Sequence, residues 1–146
     1  EPAGTTEELM ARIPEAWVED LRTLSWAFYA SQEQLIHESR EVCIGPMFEG
    51  SRDVGGADAD LILDGCLLEI KATTNPKIAS DMLYQLLGYA MLDYADEYEI
   101  RSAAVYMARQ SRLVEWDIQE LLSSLGCEDD LPELRRSFSE TMRASA

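Results

Sequence analysis

The sequence predicts an α/β domain: a central mixed β-sheet flanked by α-helices. Three observations carry this. Two strand-like runs, residues 57–63 and 66–72, are joined by Asp64-Gly65 alone, and a two-residue Asp-Gly link is a strong signal for a type I′ hairpin. Two further strand-like runs, 102–108 and 112–118, bracket Arg109-Gln110-Ser111 as a second hairpin. Helical periodicity fills the ground around them, giving the order helix, three strands, helix, two strands, helices.

The elements follow in chain order. Thr5-x-x-Glu8 has the form of a capping box opening a short helix. Pro14 suits the first turn of the next helix, in which Leu21, Leu24, Phe28 and Leu35 recur at helical spacing over 17–36. The polar stretch 37–40 ends it. Residues 42–48 read as a strand that Gly45-Pro46 bends or confines to an edge, and 50–56 read as a loop. After the Asp64-Gly65 hairpin and a loop at 73–77, Ser80 or Asp81 is placed to cap a helix running to about residue 93. A short helix at 119–125 and a last helix opened by Asp130, Pro132 and Glu133 complete the chain. Trp17, Trp26, Phe28 and Tyr29 are expected in the core rather than as a stacking platform for bases.

At 146 residues and 47% hydrophobic, the chain suits a single domain over 1–146, with a piece of a longer protein as the open alternative because it begins at Glu1. Its formal net charge of −16 counts against autonomous, tight binding of nucleic acid, for which phosphate neutralisation supplies much of the affinity. Three scattered cysteines form neither a zinc spacing nor a disulfide framework. A cytoplasmic location is expected from these cysteines, and with no long apolar run no membrane association is expected.

The hairpin also predicts a site. With a two-residue turn, Leu63 faces Cys66, Ile62 faces Leu67 and Leu61 faces Leu68. One step further, Asp60 faces Glu69. Lys71 shares the face of Glu69 because strand side chains alternate, and Asp58 lies opposite it. Facing carboxylates repel, and a hard divalent cation such as Mg²⁺, which prefers oxygen ligands, is one reason for them. The competing reading is an amphipathic hairpin whose charged face is solvated. On the next helix Gln85 and Tyr89 are four residues apart and share a face.

In this order and spacing, Gly56-Ala-Asp-Ala-Asp60-Leu, Glu69-Ile-Lys71 and Gln85-x-x-x-Tyr89 resemble the PD-(D/E)XK nuclease superfamily, nearest to its RecB-like and Cas4-like branch with a QxxxY helix. The resemblance covers residues 40–118 in layout and is sharp over 56–89. It implies a restriction-endonuclease-like core and Mg²⁺- or Mn²⁺-dependent hydrolysis of DNA or RNA phosphodiester bonds. By the same resemblance Asp60 and Glu69 are metal ligands and catalytic together with Lys71, and Gln85 and Tyr89 support the site. Nucleic acid is the implied partner, reached with help from another domain or subunit. The branch carries a further histidine and acid on an early helix. Here His37 lies in no such pattern, and Glu19 and Glu33 are the candidates for the acid. The four cysteines of Cas4-type iron–sulfur proteins are missing, so no cluster is expected. The rival expectation is a catalytically inactive member serving as an interaction or assembly module.

Overall fold

A computed structural model describes residues 5–145, without the side chains of Glu7, Leu9 and Ser145. Its centre is a mixed five-stranded sheet in the order β1-β2-β3-β4-β5. The strands are β1 (Val42–Ile44), β2 (Leu61–Leu63), β3 (Cys66–Lys71), β4 (Ser102–Met107) and β5 (Arg112–Asp117). The β2–β3 hairpin has the register set by its turn, Leu61↔Leu68, Ile62↔Leu67 and Leu63↔Cys66. Asp64 and Gly65 both have positive φ, +47° and +79°, as a type I′ turn requires. A Cβ on Gly65 would also meet the Glu99 carbonyl at 2.6 Å. β3 and β4 run parallel, from Cys66↔Ser102 to Lys71↔Met107. Parallel neighbours need a crossover, and α4 (Ser80–Leu92) lies in it.

Helices cover both faces. Leu86, Leu87 and Ala90 of α4, with α5 (Ile118–Ser124) and α6 (Leu131–Ser145), pack on Ile62, Leu67, Ala103 and Val105. On the opposite face Leu24 and Phe28 of α2 (Glu15–Ser31) and Leu35 of α3 (Glu33–Glu38) pack on Leu63, Leu68, Ala104 and Tyr106. A strand covered on both sides reads as a continuous apolar run, and Ala103 through Met107 are all buried. Caps follow the sequence: Thr5 and Glu8 exchange the two capping-box bonds ahead of α1 (Thr6–Met10), Asp117 accepts from the Glu120 amide, and Asp130 from the Glu133 amide. Among the described residues no helix is long and apolar enough to cross a membrane, and the three cysteines are free.

Several elements differ from expectation, each for a local reason. The helix expected over 17–36 breaks at Gln32, where Ser31 turns its hydroxyl to the Phe28 carbonyl and to the Tyr106 hydroxyl at 2.9 Å. The strand expected over 42–48 stops at Ile44 because Gly45 adopts φ +62°. The 50–56 loop contains a 3-10 helix, Glu49–Val54, ended by left-handed Gly55. Pro14 precedes α2 at its N-cap, and Ala79, without a side-chain cap, takes that place ahead of α4. Only Phe28 of the aromatic group joins the core. Trp17, Trp26 and Tyr29 are exposed, because α2 lays only one narrow stripe on the sheet.

One buried ion pair joins α6 to the end of α4. Arg135 (4% exposed) donates to the Ala90 carbonyl, which α4 leaves unpaired at its C-terminus, and to Asp93 (2% exposed) at 3.3 Å. It also pairs with Asp96. Asp93 in turn accepts from the amides of Glu97 and Tyr98. Removing one member of such a pair strands the other charge in the interior. Arg135→Ala is therefore expected to lower stability by about 3–5 kcal/mol, read as a shift of the urea midpoint, whereas Arg136→Ala changes it little.

Candidate active site

The site lies where β3 ends. Cys66 to Lys71 alternate between the faces, so Leu67, Glu69 and Lys71 point to the α4 side while Leu68 and Ile70 point to the α2 side. Leu67 is core, yet two residues on the same face places Glu69 at 5% exposure. The solvated hairpin face is thus excluded for Glu69. Lys71 Nζ donates to Glu69 Oε1 at 2.8 Å and to Gln85 Oε1 at 2.8 Å. Gln85 Nε2 donates to the Tyr89 hydroxyl at 2.7 Å, and that hydroxyl donates to the Asp58 carbonyl at 2.8 Å. Gln85 and Tyr89 sit one α-helical turn apart, which is why a single relay can use both. Phe48 stacks on the Tyr89 ring at 5.8 Å and fixes its plane.

Asp60 reaches the site differently from a facing cross-strand pair. β2 begins only at Leu61, so the Ile70 amide has no backbone acceptor opposite it. Asp60 Oδ2 takes that bond at 2.6 Å. The carboxylate therefore substitutes for the missing strand, while the Asp60 carbonyl accepts from Gly45. Asp58 likewise leaves the sheet. Its main-chain carbonyl serves the relay, and its exposed carboxylate is not laddered against Lys71.

Glu69 Oε2 is buried and has no hydrogen-bond partner among the described residues. An ionised oxygen in that state is costly, and it stands one residue from the amide that holds Asp60. Asp60 Oδ1, at an exposed residue, likewise has no protein partner among the described residues. This donor set, two carboxylates with one free oxygen each, suits a small oxygen-preferring dication that keeps much of its water. Among the described residues no three His, Cys, Asp or Glu side chains converge as a cluster able to hold a metal ion. The rest of a coordination shell would fall to water or main-chain carbonyls. Asp60 and Glu69 are the residues that could hold such an ion, and Lys71 places one positive charge on Glu69.

Neither early-helix candidate joins this group. Glu19 pairs with Arg22 at 3.0 Å on the exposed side of α2, and Glu33 opens α3. His37 lies against the Tyr29 hydroxyl at 3.4 Å. The residue that sequence reading missed is Asp20. Its carboxylate takes both terminal nitrogens of Arg109, at 2.9 and 2.6 Å, while Arg109 Nε donates to the Ala72 carbonyl just past Lys71. Positions 89 apart leave no local signal for such a link. Comparison with family models, with curated proteins and with solved structures finds no match.

The Arg109 guanidinium bonded to Asp20 holds its carboxyl below the ordinary carboxylate range. A depressed carboxyl pKa adds stability that is present above the unfolded value and lost as pH falls through the folded one. Asp20→Asn is therefore expected to lower the melting temperature at neutral pH and to match the wild type once the pH is well below the ordinary carboxylate range. Melting curves across that interval check it, and a constant difference at every pH would contradict it.

Proposed function

We propose that this chain is a metal-dependent nuclease domain of the PD-(D/E)XK type, with a restriction-endonuclease-like core, hydrolysing phosphodiester bonds of DNA or RNA. The observation that carries the reading is the buried Oε2 of Glu69, without a partner among the described residues, next in sequence to Ile70, whose amide anchors the Asp60 carboxylate, together with the Lys71–Gln85–Tyr89 relay. Asp60 and Glu69 would hold Mg²⁺ or Mn²⁺. Such an ion supplies charge stabilisation at a phosphoryl oxygen and eases loss of a proton from water. Lys71 keeps its ammonium in place through two of its three N–H donors and has one left to aim at a water or a phosphate oxygen. Gln85 presents its carbonyl oxygen to that ammonium because Tyr89 takes its amide nitrogen, and Asp58 and Phe48 hold Tyr89 in turn. In the net reaction a water oxygen bonds to phosphorus, the ester P–O bond breaks and the leaving oxygen gains a proton.

A net charge of −16 leaves the phosphate-binding surface to another domain or subunit. The same charge, with only two carboxylates at the site, favours the second reading, a catalytically inactive assembly module of this fold.

The test is cleavage of linear DNA and RNA with and without Mg²⁺ or Mn²⁺. Wild type should cut only with metal, and Lys71→Ala and Asp60→Asn should each lose about a hundredfold or more. Equal cutting by all three proteins would overturn the assignment, and no cutting by any would favour the inactive module. Metal at a hundredfold excess over its dissociation constant should also stabilise wild type by about 2.7 kcal/mol. The melting temperature of Asp60→Asn should not respond.

A further inference from the structure

We propose that Arg112 binds a backbone phosphate of a nucleic-acid strand lying across the candidate site. The proposal rests on the nuclease reading for its choice of ligand and adds a contact that the reading does not assign. The register of the sheet places the residue. Lys71 pairs with Met107, and Met107 pairs with Arg112, so the three stand in one row across the ends of β3, β4 and β5. Residues side by side in such a row share a face of the sheet. Here it is the α4 side: Lys71 reaches Gln85 there and Met107 belongs to that core. Trp116, four residues along β5 and so on the face of Arg112, packs against the same core. Two strand spacings put the backbones of Lys71 and Arg112 about 10 Å apart, the rise of about three nucleotides in a duplex strand.

Charge and rigidity set Arg112 apart. Arg22, Arg101, Arg109, Arg135 and Arg143 are each paired with a carboxylate. Arg112 is exposed and forms no ion pair or side-chain hydrogen bond among the described residues. In a chain with 28 acidic residues, neither 70–80 nor 100–114 contains one. The two stretches meet beside the site. Arg109 Nε donates to the Ala72 carbonyl, and Gln110 Nε2 donates to the Thr74 carbonyl at 3.3 Å. Ser111, directly before Arg112, is left-handed at φ +49°. The backbone of Arg112 is thus held at a set place relative to Lys71, while its guanidinium is left without a partner. Such a group offers five donors in a planar fork that matches a phosphate. It supplies one contact at the site itself. The net charge of −16 still leaves the bulk of the affinity to another domain or subunit.

The experiment measures binding of a short fluorescent single-stranded oligodeoxynucleotide to the full chain, by anisotropy in EDTA over a series of low salt concentrations. Wild type should bind saturably, and more weakly as salt rises. Arg112→Ala should weaken binding about tenfold, as expected for one hydrogen-bonded charge contact. It should also reduce the salt slope by about 0.7, the share of one phosphate on a single strand. Arg112→Lys should keep the slope, because the charge remains, and recover part of the affinity. Arg136→Ala, which removes an exposed arginine of α6, should change neither. Each variant should keep the circular dichroism spectrum of wild type. Arg112→Ala indistinguishable from wild type would overturn the proposal, as would an equal loss in Arg136→Ala or no saturable binding by wild type. Metal-dependent cleavage judges the nuclease reading separately. Binding that depends on Arg112 in a protein that never cuts would support this contact and assign it to the inactive module.

Discussion

A carboxylate buried with one oxygen unpaired is the constraint around which this domain is arranged. Glu69 stands two residues after Leu67 on the same face of a strand that is core on both sides. Burying an ionised group is costly unless its oxygens find charged or hydrogen-bonding partners. Lys71 meets one oxygen, and none of the described residues meets the other. Lys71 must then be held inward, which Gln85 does, and Gln85 must keep its oxygen toward the ammonium, which Tyr89 enforces. The crossover helix α4 thus serves two ends at once. Leu86, Leu87 and Ala90 close the core, and the neighbouring face carries the relay.

Much of this was legible because local geometry fixes it. A two-residue Asp-Gly turn admits a single register, so Leu61↔Leu68 through Leu63↔Cys66 followed from the turn alone. The shared face of Gln85 and Tyr89 followed from helical spacing. Where β2 ends did not follow. That end depends on Gly45, Gly55 and Gly56 turning away at positive φ, and it decides that Asp60 bonds an amide rather than facing Glu69. The Asp20–Arg109–Ala72 link and the Arg135–Asp93 pair join distant positions, for which periodicity carries no information. Trp17 and Trp26 read as core by composition. They are exposed because α2 lays only a narrow stripe, Leu24 and Phe28, on the sheet.

The same sheet end organises the outer features. β3 stops at Lys71, and its next residue, Ala72, is clamped by Arg109 from one side and shares a cleft with Leu21, Leu24 and Phe28 of α2 on the other. α2 is therefore tied to the site by an ion pair at Asp20 and by packing at Leu24 and Phe28, while its first turns stay open. A strongly acidic domain built this way has little positive surface of its own to hold a polyanion.

As proposed, Glu69 and Asp60 would together hold one cation. The direct measurement is the loss of the free Mn²⁺ electron paramagnetic resonance signal on titration with the protein. Wild type should remove one Mn²⁺ per chain from solution, and Glu69→Gln and Asp60→Asn should each abolish that uptake while remaining folded by circular dichroism. Uptake that persists unchanged in both variants, or no uptake by the wild type, would contradict the account.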